Sequence, residues 1–357
     1  MKIGILTFVN TANYGASLQA YALQQVVNSR GHECEIISYM NEDVIKAHDP
    51  KEVFKRRGLK KVIAPYLFYI YKKRLEKFKT FERKYCKFSE ICDRSTILEL
   101  SKKYDRIIVG SDQVWNLDIT GGDETFFLDY LDDAKKYSYA ASTGTSYFTT
   151  DVSICEKLVD RFQLISVREQ ATVDQLKTNL KRDDIECNVD PTLLRYNDWK
   201  AFVSEKPIND SYIFMYLTPE NDELLNAVRN FADKENCKII LLKKGAGKRK
   251  GIRIVNIASP DEFINYIAHA KYVITGSFHA LCFSLMLHTD FYVTSSKQKN
   301  RSGRLVNLLH NFGLEDRLVL EPKYCFQKSQ IDFDDVDMKL LSLVDASLAV
   351  IDRICES

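Results

Sequence analysis

The hydrophobic pattern of the first forty residues predicts a strand, a helix and a second strand. KIGILTFV is an apolar run that begins at position 2, and CEIISY begins a second one at position 34. Between them, LQAYALQQVVNSR places apolar residues at helical spacing, and Gly31 follows as a stop signal. A β-α-β unit joins parallel strands through a right-handed crossover, so this opening predicts a parallel sheet.

The same alternation continues in two series. The strands YDRIIVGSD, KYSYAAST and LISVRE extend the first series, and SYIFMYLTPEND opens a second one that includes CKIILLKK and the junction KYVITGSFHA. In ASPDEFINYIAHA, Ser259 is a predicted helix N-cap and Pro260 suits the first helical position. Two such arrays predict an α/β fold with two Rossmann-like domains that face a cleft, and ligands bind beyond the carboxyl ends of the strands.

These elements divide the chain into three expected parts. We expect an N-terminal Rossmann-like domain over residues 1–165, with a basic helical insertion at 42–103. A C-terminal Rossmann-like domain follows over 166–325, and a helical segment over 326–357 is expected to pack back on the first domain.

The composition indicates a soluble globular protein in a reducing compartment. Of 357 residues, 45% are hydrophobic and 28% are charged, and the nine cysteines include no C-x-x-C pair. The N-terminal segment is predicted to be a buried strand and not an export signal. No apolar run approaches the roughly 20 residues that span a bilayer. We therefore expect a cytoplasmic protein.

Charge is unevenly distributed along the chain. Residues 51–87 carry 14 Lys or Arg against three Glu, a local net of +11, which leaves −9 for the rest of a chain of net charge +2. Eight aromatic residues are interleaved with these cations. One interpretation is a helix that lies on an anionic membrane at its inner face, and the other is an exposed basic helical pair packed on the first domain. No nucleic-acid motif accompanies the segment, so no nucleic-acid partner is expected.

Three strand ends carry polar residues suited to a binding site. Thr275, Ser277 and His279 lie where a strand ends and an apolar helix begins, and the free N–H groups there favour an anion. Two further groups follow strand ends earlier in the chain: Asn13 and Tyr14 in the first β-α loop, and Asp112, Gln113 and Trp115 in a turn with character suited to a sugar. For the loop with Asn13 and Tyr14, the structural alternative is a plain turn. For the group with Trp115, it is a tryptophan that packs in the core.

Five motifs occur in a fixed order, namely NYGASLQAYAL, GSDQVWN, SVRE, VDPTLL and TGSFHAL. With these motifs the chain resembles the polysaccharide pyruvyl transferase family over about residues 1–318. The resemblance implies two Rossmann-like domains arranged as in GT-B glycosyltransferases, with the acceptor on the first domain and the donor on the second. It also implies transfer of the pyruvyl group of phosphoenolpyruvate to two hydroxyls of a sugar in a cell-surface polysaccharide precursor, such as a lipid-linked oligosaccharide.

The resemblance also assigns roles to individual residues. His279 becomes the acid and Arg168, in the SVRE motif, holds the donor. A lysine downstream of the histidine is used in relatives, and ungapped counting reaches Lys299, with Lys297 as a near alternative. Many relatives have arginine where this chain has Ser277, so part of the anion clamp is missing or comes from elsewhere. The expected donor-binding set is Arg168, Lys299, Ser277, Thr275, Arg301 and Arg304, and the acceptor-binding set is Asn13, Tyr14, Asp112, Gln113 and Trp115.

The chemistry asks for groups of these kinds. Phosphoenolpyruvate carries a carboxylate and a phosphate, which need fixed cations and N–H donors. Protonation of its methylene carbon makes the neighbouring carbon electrophilic, and histidine is a suitable general acid near neutral pH. The reaction needs phosphoenolpyruvate as co-substrate and neither a metal nor a redox cofactor.

Two other functions stay open at this stage. The first is a GT-B glycosyltransferase that uses a nucleotide sugar, although residues 280–314 contain no glutamate for the E-x7-E pattern common in retaining members. The second is a non-catalytic carbohydrate-binding relative, for which Ser277 is the best support.

Overall fold

The structure, a computed structural model, describes residues 1–55, 59–145, 147–218, 221–245, 247–295, 299–320, 324–326 and 330–356. At residues 59, 60, 295 and 299–302 it describes the backbone alone. The chain forms two compact units. Unit 1 comprises Met1–Asp49, Phe78–Arg195 and Ser342–Ser357, and unit 2 comprises Pro50–Lys77 and Tyr196–Leu341.

Unit 1 is built on a parallel sheet with the order β3-β2-β1-β4-β5, extended by a parallel pair, β6-β7. Isolated bridges from Tyr137 to Leu164 and from Ala141 to Val167 place β6 beside β5. The strands are β1 (Lys2–Leu6), β2 (Glu33–Tyr39), β3 (Phe88–Cys92), β4 (Arg106–Val109), β5 (Lys136–Ser138), β6 (Ile165–Val167) and β7 (Ile185–Cys187). The strand order reverses between β1 and β4, and ligands bind at such a reversal in open α/β sheets.

The helices of unit 1 connect these strands. They are α1 (Tyr14–Ser29), α2 (Glu42–His48), α5 (Ile97–Ser101), α6 (Leu117–Thr120), α7 (Val152–Val159), α8 (Gln170–Leu180) and α9 (Pro191–Leu194), with 3₁₀ turns at Glu124–Phe127 and Asp133–Lys135. The apolar runs of β1 and β4 are buried on both faces, as expected for central parallel strands.

Unit 2 repeats the pattern with one sheet of six parallel strands, in the order β10-β9-β8-β11-β12-β13. The strands are β8 (Tyr212–Tyr216), β9 (Lys238–Leu242), β10 (Ile252–Val255), β11 (Tyr272–Thr275), β12 (Phe291–Ser295) and β13 (Leu318–Leu320). Its helices are α3 (Leu59–Val62), α10 (Asp222–Lys234), α11 (Pro260–Ala268), α12 (Phe278–Met286) and α13 (Lys299–Phe312), with 3₁₀ turns at Pro50–Lys55, Asp198–Phe202 and Glu315–Arg317. Here the order reverses between β8 and β11.

Two long helices contribute residues to both units, α4 (Ala64–Tyr85) and α14 (Phe333–Glu356). Within the described ranges, no helix combines the length and the apolar composition needed to cross a bilayer. The predicted α/β class with two Rossmann-like domains is confirmed.

The division between the units differs from the expected boundary at residue 165. The reason is β6, which joins the sheet of unit 1 because Ala141 N donates to Ser166 O at 3.1 Å and Arg168 N donates to Ala141 O at 3.1 Å. The chain therefore stays in unit 1 as far as Arg195.

The other expected boundaries differ as well. Residues 50–77, part of the expected insertion in the first domain, belong to unit 2. At the other end of the chain, Ser342–Ser357 belong to unit 1, where Asp352 accepts a hydrogen bond from Arg30 at 2.8 Å.

Candidate functional site

In unit 2, a tight turn follows β11 at the point where the strand order reverses. The Thr275 hydroxyl donates to the carbonyl of Tyr216 at 2.7 Å and accepts from the Ser277 N–H at 3.0 Å. A Cβ on Gly276 would come within 2.6 Å of the Leu217 carbonyl oxygen and 2.9 Å of the Thr294 carbonyl oxygen. A residue without a side chain is needed here because the turn passes closely between two neighbouring strand ends.

His279 lies in the first turn of α12, directly after this turn. Ser277 is the N-cap, and its hydroxyl accepts from the Ala280 N–H at 3.4 Å. The imidazole is half-buried and its ring centroid lies 5.4 Å from that of Phe278, edge to face. The side chain is thus placed at the positive dipole end of α12, where an anion would be stabilised. Thr275 and Ser277 build and cap the turn with their own hydroxyls.

Two cations outside the predicted set lie at the same edge of the unit 2 sheet. Arg74, on α4, is 2% exposed, and its guanidinium hydrogen-bonds the side chain of Tyr216 at the end of β8. Lys244 follows β9, and burial, together with the charge of Arg74, lowers its pKa to about 8. The Lys244 side chain is nevertheless exposed to solvent, so a ligand could reach it.

A signal for Arg74 was present in the sequence. Leu67, Ile70, Arg74 and Phe78 recur at helical spacing and are all buried, so Arg74 lies on the apolar face of its helix. The high net charge of the segment obscured this pattern, because several exposed positions of the helix are lysines, among them Lys72, Lys73 and Lys79.

The remaining predicted donor cations lie on or before α13. Lys297 lies outside the described residues, and the side chains of Lys299 and Arg301 do as well, although their backbone forms the start of α13. Arg304 is half-buried on the same helix.

Arg168, the predicted donor-binding arginine, lies in the interior of unit 1. Its side chain is 3% exposed; Nη1 donates to Asp190 Oδ2 at 2.8 Å, and Nε lies 3.5 Å from Glu169 Oε1. Burial alone would lower the pKa of Arg168, but the carboxylates of Glu169, Asp190 and Asp112 raise it above its ordinary value. The guanidinium is thus held in a buried ion pair with Asp190, and its contact with an anionic donor stays a prediction.

Neighbouring hydroxyls and amides complete this buried network. Ser142 donates to Glu169 Oε1 at 2.6 Å, and the Thr192 hydroxyl donates to Asp190 Oδ1 at 2.8 Å. Gln19 Nε2 donates to Thr7 Oγ1 at 2.8 Å, and the Ser111 N–H donates to Gln19 Oε1 at 3.0 Å. The SVRE and VDPTLL motifs thus fasten β6, β7 and α9 to the end of the sheet.

Two of the predicted acceptor-binding residues are core residues. Tyr14 is fully buried, with its ring centroid 4.8 Å from that of Phe78. Trp115 is 1% exposed, stacks on Phe127 at 5.8 Å, and donates from Nε1 to the carbonyl of Phe126 at 3.1 Å. Both side chains are thus packed in the core, and their predicted contacts with a sugar stay predictions.

The other three predicted acceptor residues lie at strand ends in unit 1. Asn13 is exposed and caps α1, accepting from the Gly15 N–H at 3.0 Å. Asp112 is largely buried at a positive φ of 73°, and its Oδ1 accepts from the N–H of Gln113 at 2.9 Å. Gln113 is half-buried beside Gly144.

Unit 1 also contains a pocket of about 580 Å³ at the carboxyl ends of β2 and β3. Hydrogen bonds from Tyr39 and Asn41 to Asp123 Oδ2, at 2.6 Å and 2.9 Å, hold one wall. The lining is polar and includes Glu42, Asp43, Asp93, Arg94, Asp123 and Glu124. No sequence motif selected this pocket, because its residues come from three separate loops.

Comparisons with known proteins give one family and one fold. A family model described as polysaccharide pyruvyl transferase matches residues 13–298. No curated protein sequence gives a significant match. Among solved structures, a protein from Listeria monocytogenes described as a UDP-N-acetylglucosamine 2-epimerase has a TM-score of 0.50 at 11% identity, covering 100% of this chain and 91% of that chain.

Two further structures are similar at lower scores. The UDP-GlcNAc 2-epimerase from Methanocaldococcus jannaschii has a TM-score of 0.49 at 14% identity, covering 98% of this chain and 93% of that one. A glycosyltransferase from Streptomyces nogalater has a TM-score of 0.45 at 11% identity, covering 99% and 97%. At these identities the similarity concerns the fold alone.

Proposed function

Because the chain belongs to the polysaccharide pyruvyl transferase family, we propose that it moves the pyruvyl group of phosphoenolpyruvate onto two hydroxyls of a sugar in a cell-surface polysaccharide precursor. The observation that carries this proposal is the position of His279, half-buried in the first turn of α12 beside the Thr275–Ser277 turn. An acid at the positive dipole end of a helix suits an anionic donor that must be both held and protonated.

The reaction begins at the methylene carbon of the donor. His279 transfers a proton to that carbon, which becomes a methyl group, and the neighbouring carbon becomes electrophilic. A sugar hydroxyl adds to this carbon, and phosphate leaves as the C–O bond to it breaks. The second hydroxyl then closes the cyclic ketal. Of the two hydroxyl protons released, one replaces the proton that His279 donated and the other leaves with phosphate, so no oxidant, metal or further cofactor is needed.

The negative charge that develops on the leaving phosphate gives a reason for an acid at the N-terminus of a helix. The leaving phosphate gains negative charge as the bond breaks, and fixed dipoles aimed at that charge lower the barrier. The N-terminus of α12 supplies such dipoles next to the imidazole. Thr275 keeps the turn in register with β8 through its bond to Tyr216, so its role is to position the histidine.

For the acceptor, the polar surfaces of unit 1 are the favoured location. Asn13 and the pocket at the carboxyl ends of β2 and β3 offer amide and carboxylate groups that suit hydroxyl-rich ligands. The sugar acceptor is expected from the family, and a lipid-linked oligosaccharide would bring it to a membrane.

A membrane contact is the second part of the proposal. On the segment 50–77 several apolar side chains face solvent: Phe54 is 49% exposed, Val62 78%, Tyr66 54% and Tyr69 55%. Lysines flank them, and such a combination suits a surface of anionic lipid, with aromatic side chains at headgroup depth. The enzyme would then work in the cytoplasm at the inner face of the membrane.

The decisive experiment measures phosphate release from phosphoenolpyruvate with a panel of nitrophenyl or lipid-linked galactosides, glucosides and mannosides. Wild-type protein is expected to release phosphate only with a suitable acceptor. His279→Ala and His279→Gln are expected to lose at least about a hundredfold in turnover, the typical contribution of a general acid.

The matched control is His288→Ala. His288 follows α12 and bonds Asp337 at 2.9 Å, remote from the turn at Thr275. Full activity in His279→Ala would reject the proposed acid, and turnover of a nucleotide sugar with none of phosphoenolpyruvate would favour a glycosyltransferase.

A further inference from the structure

Arg74 carries a buried positive charge to the edge of the unit 2 sheet. The residue is 2% exposed and lies on the buried face of α4, between Ile70 and Phe78. Its guanidinium hydrogen-bonds the side chain of Tyr216, the last residue of β8, which is 7% exposed. The neighbouring turn of α4 is fastened to unit 2 as well, because Lys77 Nζ lies 2.6 Å from both carboxylate oxygens of Glu262.

Lys244 brings a second positive charge to the same edge. It lies two residues beyond Leu242, which pairs with Tyr216 in the β8–β9 register. Burial, and after it the positive charge of Arg74, lowers the pKa of Lys244. Like charges at short range cost free energy, and an anion bound beside them would relieve that cost.

Tyr216 connects both cations to the turn that presents His279. Its carbonyl oxygen accepts from the Thr275 hydroxyl at 2.7 Å and from the Gly276 N–H at 3.3 Å. The strands involved, β9, β8 and β11, are adjacent in the sheet. Arg74, Lys244 and the N-terminus of α12 therefore belong to one carboxyl edge.

We propose that Lys244, supported by Arg74, binds the phosphate group of the donor and supplies the positive charge that Ser277 does not provide. The identity of that anion as phosphoenolpyruvate rests on the proposed function. Lys244 reaches solvent and acts as the contact residue, since an ammonium binds phosphate as a point charge. Arg74 is a positioning residue, held by Tyr216 and acting through the field it adds beside Lys244.

Arg168 does not compete for this role. It lies in unit 1 among Glu169, Asp190 and Asp112, whose negative charge exceeds its own. By contrast, the charges identified at the edge of β8 and β9 are both positive. The missing arginine of the TGSFHAL motif is thus replaced by cations from elsewhere in unit 2.

The test compares binding and turnover in Lys244→Ala with a matched control, Lys250→Ala, which removes an exposed lysine from the same β9–β10 loop. Inorganic phosphate and phosphoenolpyruvate are titrated by calorimetry, and melting temperatures establish that each variant is folded. We expect Lys244→Ala to weaken phosphate binding and to raise KM for phosphoenolpyruvate by about tenfold or more, as for loss of a bond to a charged group, with little change in kcat. Lys250→Ala should behave as wild type.

Arg74 is tested by rescue. Arg74→Met should raise KM as Lys244→Ala does, and Arg74→Lys should restore part of the affinity because it restores the charge. If Arg74→Met and Arg74→Lys have the same melting temperature and also the same KM, the role of Arg74 is overturned.

The outcomes separate this inference from the proposed function. If wild type turns over phosphoenolpyruvate and Lys244→Ala keeps its KM, the subsite is wrong and the function stands. If wild type binds inorganic phosphate through Lys244 but does not turn over phosphoenolpyruvate, the subsite stands and the donor is another phosphorylated molecule. If wild type binds neither anion, the subsite is overturned.

Discussion

Arg168 Nη1 donates to Asp190 Oδ2 across 2.8 Å, and the two side chains are 3% and 0% exposed. The bond joins the end of β6 to the N-cap of α9, whose first residue is Pro191. A charged pair that is almost fully removed from water is strongly destabilised when one partner is removed, because the other charge is left uncompensated.

We therefore expect Asp190→Ala to lower the free energy of unfolding by about 3–5 kcal/mol. Urea denaturation followed by circular dichroism measures this change. The control is Glu186→Ala, which breaks a surface ion pair with Arg353 and should cost less than about 1 kcal/mol. Equal effects of the two substitutions would contradict the structural role of the buried pair.

Glu35 provides a prediction on acid stability. Burial alone would raise its pKa, but hydrogen bonds from Tyr104 and Lys103, with the charges of Lys103 and Lys2, lower it from 4.5 to about 2. The folded state thus holds this proton less tightly than the unfolded state, so the stabilisation is present above pH 4.5 and is lost as the pH falls towards 2.

Glu35→Gln should therefore lose stability at pH 7 and show a shallower decline between pH 4.5 and 2 than wild type. Thermal melts across that range measure the slope. Glu99→Gln, which removes an exposed carboxylate paired with Lys102, is the control and should keep the wild-type slope. A wild-type slope in Glu35→Gln would show that other carboxylates govern acid unfolding.

Glu82 is expected to affect the pH dependence of stability in the direction opposite to Glu35. It accepts a hydrogen bond from Ser17 at 2.8 Å, and burial raises its pKa to about 7 against the opposing effects of Ser17 and Lys79. The folded state holds this proton more tightly than the unfolded state, so stability falls as the pH rises from 4.5 to 7.

Glu82→Gln should remove this decline and make the protein more stable than wild type at pH 8. Glu76→Gln on the same helix, which removes an ion pair with Lys73 at the surface, should change stability little. A melting temperature for Glu82→Gln below that of wild type at pH 8 would contradict the prediction.

The exposed aromatic residues of α4 give a prediction on membrane binding. Tyr66→Ser combined with Tyr69→Ser should weaken sedimentation with phosphatidylglycerol vesicles by about tenfold, or about 1.4 kcal/mol. Leu98→Ser is the control, since Leu98 is also about half exposed but lies outside this segment. Absence of vesicle binding by wild type at low salt would reject the membrane contact.

Local patterns in the sequence were sufficient for much of the fold and for part of the site. Ser259 and Pro260 begin α11 as predicted, with a capping box to Glu262, because caps depend on residues close in sequence. The turn before His279 is likewise local. The division between the units differs from the expected boundary at 165, because the edge bridges of β6 depend on contacts with Ala141 that no periodicity reveals.

The burial of predicted site residues has a similar cause. An aromatic residue next to polar ones suits a sugar face and a core equally well, and for Trp115 the partners Phe127 and Phe162 decide for the core. Lys244 could not be assigned from spacing, because its place beside the end of β8 depends on the pairing of β9 with β8.

The interleaved division of the chain has a consequence for its synthesis. Residues 50–77 leave the ribosome early, yet they belong with 196–341, which are made only after the whole of 78–195. A nascent chain therefore exposes Leu67, Ile70 and the buried side of Arg74 until their partners appear, and domain-by-domain folding in order of translation is not available to it. Early exposed apolar surface of this kind is where chaperones bind, so heterologous production should depend on them strongly.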